Sequence, residues 1–212
     1  MPEKPVSNIA FTEAVKRAQR QRGSREGYAS MERGSGWKDR VDETLATFLA
    51  QRDFFYLGTA SRSGRPYIQY RGGPRGFVKV LDPQTLALAD FAGNRQYISL
   101  GNLSENHQAF MFFMDYATQT RIKLWGEAEF IEDDPQLLSR LVDPSYAAVA
   151  ERVFVFHLQA WDVNCRKYIH QRWTRDEIEP LMAPLNKQLA DLKTENSRLR
   201  AQIAQLEGGH TE

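Results

Sequence analysis

The spacing of apolar and polar positions divides the chain into a helical opening, a β-rich middle and a helical tail. Residues 1–8 are expected to fray, and Phe11 to Arg22 reads as a helix stopped at Gly23. Glycines and small polar residues from Gly27 to Gly36 predict a loop. From about Arg40 to Gln51, Val41, Leu45, Phe48 and Leu49 share one face, predicting a helix that Asp39 can cap. Phe54 to Ala60 is aromatic and apolar, Ser61 to Gly64 is a turn, and Pro66 to Tyr70 sets Tyr67 and Gln69 against Ile68 and Tyr70. That two-residue alternation suits a half-buried strand. Phe77 to Leu81 and Thr85 to Phe91 make a hairpin about Asp82-Pro83.

Ala109 to Asp115 and Arg121 to Glu132 read as another antiparallel pair, in which Gly126 marks a bulge or close approach. Asp133-Asp134-Pro135 opens a short helix ending near Leu141, with proline in its first turn, and Val153 to Leu158 is a further strand. Six or seven short antiparallel strands with only flanking helices predict a mainly β (α+β) fold. A closed or half-closed barrel fits that pattern better than a βαβ arrangement.

The tail has the most regular pattern. Ile178, Met182, Leu185, Leu189, Leu192, Asn196, Leu199, Ile203 and Leu206 follow each other at spacings of four and three. With Leu185, Leu192, Leu199 and Leu206 at d, Leu189, Asn196 and Ile203 fall at a, the pattern of a parallel two-stranded coiled coil. Pro180 and Pro184 set the start of the regular helix near Leu185, leaving about three heptads. The alternative is one amphipathic helix folded onto its own domain. The resulting division is 1–38, a helix and loop extension; 39–173, the β domain; and 174–212, the tail helix, with a coiled coil at about 185–206.

Composition narrows the functional classes. Basic and acidic residues nearly cancel, 28 against 27, so no global field favours nucleic acid or an anionic membrane. Lys16, Arg17, Arg20, Arg22 and Arg25 are a local basic cluster that reads as a solvated helix face. The stretch ahead of the zipper holds Arg172 and Arg175 but also Asp176, Glu177 and Glu179, unlike a DNA-binding basic region. The lone Cys165 fits a reducing compartment and reads as a buried, inert thiol. No apolar run is long enough to span a membrane, and Met1-Pro2-Glu3-Lys4-Pro5 has no signal-peptide apolar region, so the expectation is a cytoplasmic protein. His107, His157, His170 and His210 lack metal-ligand spacing, and His157, inside an apolar strand, reads as a core histidine. No Walker loop, nucleophile elbow or Cys-x-x-Cys is present.

Candidate chemistry concentrates at Gly93-Asn94-Arg95-Gln96-Tyr97-Ile98-Ser99-Leu100-Gly101-Asn102-Leu103. A strand, a turn with exposed amides, an arginine and a helix start make an anion cradle. The alternative is an ordinary turn with a solvated Arg95. The loop Arg71-Gly72-Gly73-Pro74-Arg75-Gly76 is a weaker anion candidate, since tight turns need glycine anyway.

The order of segments resembles the pyridoxamine 5'-phosphate oxidase-like flavoproteins, whose fold is the FMN-binding split barrel. The resemblance rests on Asp53 to Ala60, Gly64 to Phe77, the Gly93 to Leu103 stretch and Trp161-Asp162-Val163-Asn164-Cys165-Arg166-Lys167-Tyr168-Ile169. It spans roughly 42–173 and is nearest to an uncharacterised branch with this asparagine–arginine cradle. It implies an obligate homodimer with FMN at the subunit interface. Asn94, Arg95, Ser99 and Asn102 would hold the phosphate, and Gln69 and Arg71 would face the flavin. Arg121 would lie near the ring, with Asn164, Lys167 and Arg172 closing over the cofactor. Tyr67, Tyr97 or Trp161 could supply the ring's apolar wall, although each also reads as ordinary core. Lys167-Tyr168-Ile169-His170-Gln171-Arg172 lacks the oxidase's arginine–histidine order for its substrate phosphate, and no lysine follows Arg71, so oxidation of pyridoxamine phosphate is disfavoured. What the resemblance implies is an oxidoreductase acting on an unidentified small molecule. A non-catalytic flavin-sensing module with an interaction tail is the alternative, and the fold can also hold a deazaflavin or haem.

Overall fold

Seven antiparallel strands carry the architecture, as the sequence predicts. The computed structural model describes residues 4–34, 36–164 and 166–208. Within them lie β1 (Phe54–Ala60), β2 (Pro66–Gly72), β3 (Lys79–Asp82), β4 (Thr85–Phe91), β5 (Gln108–Asp115), β6 (Thr120–Ile131) and β7 (Ala150–Asn164). Their order in the sheet is β2-β1-β5-β6-β7-β4-β3. Alternate residues of β1, β5, β6 and β7 point to one side, and Phe55, Leu57, Met111, Phe113, Leu124, Phe154 and Phe156 form the core there. Removal of these large side chains from water is the main driving force for the curled sheet.

Six α-helices are described besides the strands. They are α1 (Glu13–Gln21), α2 (Arg25–Arg33), α3 (Glu43–Leu49), α4 (Ile98–Glu105), α5 (Pro135–Leu141) and α6 (Arg175–Gly208). α3 buries Leu45 and Leu49, and α4 buries Leu103, in the same core as the strands. α5 lays Leu137, Leu138 and Leu141 against Ala87, Ala89, Val153 and Val155 of β4 and β7. Asp134 caps α5 through Leu137 N–H at 2.8 Å, with Pro135 in its first turn, as the sequence predicts. The register slips between Trp125 and Gly126, and a Cβ on Gly126 would collide with the His157 carbonyl oxygen. A close approach of two backbones therefore demands glycine there.

Several expectations are corrected. Asp42, not Asp39, caps α3, its carboxylate accepting from Leu45 N–H at 2.9 Å. The expected loop from Gly27 to Gly36 is largely α2, where the Arg25–Glu32 ion pair and the Phe11–Tyr28 ring contact at 5.2 Å outweigh the helix penalty of Gly27. Val6–Ile9 forms a short 3-10 helix rather than a frayed end, because Ser7 is buried and its hydroxyl donates to Glu32 at 3.0 Å. His157 is not core: it faces outward, half exposed, with its Nε2 3.6 Å from Glu129. Cys165 and His210 lie outside the described residues.

The chain divides into two compact units, the first closing at Ile169 and the second beginning at His170. α6 belongs to the second and starts at Arg175, running through both prolines ahead of the heptads. Its start is set by a reciprocal cap, in which Glu177 N–H donates to Thr174 Oγ1 at 3.3 Å and Thr174 N–H donates to Glu177 at 2.8 Å. No described helix is long and apolar enough to cross a membrane.

Candidate functional site

β2 has an inverted pattern that defines the site. Its polar set, Gln69 and Arg71, together with Tyr67, turns toward the interior side, while Ile68 and Tyr70 stand 70% and 60% exposed on the other face. β4 then delivers the chain to the Gly93–Tyr97 turn, and α4 begins against β2. Five of the residues expected to bind the cofactor, Gln69, Arg71, Asn94, Arg95 and Ser99, line one shallow, solvent-open cleft with a cavity volume of about 60 Å³.

The turn into α4 has two left-handed residues that are not glycine, Arg95 at φ 58° and Tyr97 at φ 54°. Such conformations are held only where the surroundings demand them. Asn94 Oδ1 accepts from Gln96 N–H at 3.2 Å and shapes the turn. Gly101 N–H reaches back to Tyr97 O at 2.9 Å, and no side chain caps the amides that precede it. Arg95, on the turn before them, lines the same cleft; it is exposed and has no ion-pair partner among the described residues. Ser99 is buried and its Oγ donates to Gln69 Oε1 at 2.8 Å, tying α4 to β2.

The cleft wall carries two residues the sequence did not single out, Asp90 and Arg152. They are direct partners across β4 and β7. Arg71 Nη1 reaches Asp90 Oδ1, bridging strands that are not neighbours in the sheet, and Arg152 Nε lies 3.3 Å from Asp90 Oδ2. Arg152 also pairs with Glu132 at 2.8 Å and Glu151 at 2.7 Å, and its guanidinium sits 5.3 Å from the Tyr97 ring. Burial pushes the Asp90 carboxyl up from its ordinary value, against the opposing pull of Arg71 and Arg152. The Nε groups of Arg71 and Arg152 are buried and make no hydrogen bond among the described residues. The only signal in the sequence was one acid and one base embedded in apolar runs, where an unpaired charge would be costly.

The remaining expected residues lie elsewhere. Asn102 Nδ2 donates to Thr59 Oγ1 at 3.0 Å, anchoring α4 to β1. Arg121 and Asn164 are cross-strand partners at the other end of β6 and β7 from Phe130, roughly 30 Å along the strand at 3.3 Å per residue. Arg121 Nε and Asn164 Oδ1 are likewise buried without a hydrogen bond. Beside them, burial lowers the Lys123 ammonium and raises the Asp162 carboxyl from their ordinary values, each opposed by the other's charge. Lys167 is exposed in a turn with its ammonium 5.1 Å from the Tyr168 ring, and Arg172 is exposed in the second unit. Tyr67 and Tyr97 line the cleft, whereas Trp161 is core, its Nε1 donating to Arg40 O at 2.8 Å. In the Arg71–Gly76 loop the glycines serve packing: a Cβ on Gly73 would strike the Phe77 ring, and Gly76, at φ 71°, lies against Ala50 O.

A family model described as pyridoxamine 5'-phosphate oxidase matches residues 41–166. The chain belongs to that family. Solved structures of similar fold include HupZ of Group A Streptococcus, 13% identical, covering 63% of this chain and 100% of that one at a TM-score of 0.48. An FMN-binding protein from Syntrophomonas wolfei is 16% identical, covering 74% and 98% at a TM-score of 0.45. A pyridoxamine 5'-phosphate oxidase candidate from Lactobacillus delbrueckii is 20% identical, covering 59% and 95% at a TM-score of 0.45. No curated protein matches the chain.

Proposed function

We propose that this protein is an FMN-binding flavoprotein that acts as an oxidoreductase on a small molecule, as a homodimer. The observation that carries the reading is the convergence on one cleft of uncapped α4 amides, Arg95 with no ion-pair partner among the described residues, and Arg71, whose buried Nε makes no hydrogen bond there. This donor set fits a phosphate monoester attached to a flat, acceptor-rich ring. The α4 amides and Arg95 would hold the phosphate. Gln69 keeps its amide nitrogen available because its Oε1 is occupied by Ser99, so it can donate to a ring carbonyl. Tyr67 and Tyr97 supply apolar surface at the same cleft. When bound, FMN would supply one- and two-electron redox chemistry.

The family resemblance implies a site completed by two chains. Two features support that arrangement: the partly exposed apolar face of Tyr56, Ile68, Phe110 and Phe112 on β2-β1-β5, and the unsatisfied Arg121 donor and Asn164 acceptor, far along the strands from the cradle. Lys167 and Arg172 are assigned to the late segment over the cofactor on the resemblance alone.

The test compares FMN with riboflavin, which has the same ring and no phosphate. Titration by flavin fluorescence should give FMN the tighter binding by at least about tenfold, the scale of one charge-assisted contact. Equal affinities would remove the phosphate cradle from the account. Reoxidation kinetics of the reduced, FMN-loaded protein with candidate small-molecule acceptors then test the oxidoreductase assignment.

A further inference from the structure

α6 is the longest helix described, and its apolar side chains are not covered. Along it Met182, Leu185, Leu189, Leu192, Leu199, Ile203 and Leu206 are between 42% and 70% exposed. They mark a single seam, with Leu185, Leu192, Leu199 and Leu206 at d and Met182, Leu189, Asn196 and Ile203 at a. Pro180 and Pro184 fall at f and c, on the side away from the seam, so helix α6 passes through both without spoiling it.

We infer that the partner for this seam is α6 of a second copy of the chain, lying parallel and in register. Three observations select that occupant. In a parallel pair Asn196 faces its own twin and the two amides can bond, whereas an antiparallel pair sets an a residue opposite d and buries Asn196 against leucine. Glu195 at g then lies across from Arg200 at e of the other helix, giving two symmetric opposite-charge contacts. The antiparallel arrangement instead sets e against e, where Lys193 and Arg200 repel. In the single chain Glu195 is held by Arg198 of its own helix, at 2.8 Å and 2.6 Å, an exposed contact readily exchanged. The seam needs no flavin, so it stands or falls separately from the proposed cofactor.

Site-directed cross-linking of the full chain tests the pairing. Asn196→Cys puts one thiol on the seam, and Lys187→Cys, at f, puts one on the outer face; both carry Cys165→Ser. Under mild oxidation Asn196→Cys should convert to covalent dimer at least tenfold faster than Lys187→Cys. Adding Arg200→Glu should slow it, and Glu195→Arg combined with Arg200→Glu should restore it. Thermal melting of each variant checks that the fold is kept. Equal rates for the two cysteines, or no dimer from either, would overturn the inference even if FMN binds. Covalent dimer from Asn196→Cys in a preparation that refuses FMN would leave the inference standing and remove the flavin reading.

Discussion

Arg71 and Arg152 approach the same carboxylate from different strands, and their energetic positions differ. Arg152 keeps Glu132 and Glu151 if Asp90 is lost, but among the described residues Asp90 is the only acid paired with Arg71. Removing one partner of a buried pair leaves an uncompensated charge, so Asp90→Ala should lower unfolding stability by about 3–5 kcal/mol. Urea denaturation measures it, and a loss under 1 kcal/mol would mean that water reaches Arg71 readily. Arg95 is the opposite case, exposed and unpaired, so Arg95→Ala should leave stability almost unchanged. FMN affinity should fall by about 1.5–3 kcal/mol, the value of a charge-assisted bond; unchanged affinity would take Arg95 out of the phosphate site. The cradle could be read from the sequence because Asn94, Arg95 and Ser99 lie within one turn and one helix start. Asp90 and Arg152 could not, since they meet only through the β4–β7 register and the closing of β2 toward β4.

Among the elements, the short Val6–Ile9 helix is tied to α2 by a side-chain hydrogen bond, and Trp37, beyond α2, stacks on the barrel. Glu32 takes a hydrogen bond from Ser7 and pairs with Arg25, while Trp37 stacks on Trp125 of β6 at 4.5 Å. Burial pushes the Glu32 carboxyl up, but the bonds from Arg25 and Ser7 and the charges of Arg25 and Lys16 hold it below its ordinary 4.5. A carboxyl lowered in the folded state stabilises the fold above its unfolded value and loses that contribution as pH falls through the folded value. The difference in melting temperature between the parent and Glu32→Gln should therefore be full above about pH 4.5 and shrink below it. A difference independent of pH would show that Glu32 acts by packing alone. α2 was hidden in the sequence because Gly27 and small residues argue for a loop, while the contacts that hold it are tertiary. The strands were legible because β2 and β6 alternate, while β1, β4 and β7 carry short apolar runs between turn residues. β2 was legible as a strand, but which of its faces lay inside depended on neighbours that periodicity does not name.

At the level of the whole molecule, the barrel and the tail answer different questions. The barrel's family and strand order follow from segments of the sequence that appear in consistent order over residues 41–166. The tail's heptads bear on association and say nothing of chemistry. Two chains joined at the α6 seam would hold their barrels at high effective concentration, which would strengthen any pairing of the β2-β1-β5 faces. The central claim remains that the cleft at the head of α4 takes FMN. The most direct measurement is the visible absorption spectrum of the full chain after excess FMN has been added and the unbound fraction removed by gel filtration. The account predicts retained flavin bands at about one FMN per chain, lost in Arg95→Ala under the same dilution. A colourless protein after filtration, with its fold intact by circular dichroism, would contradict it.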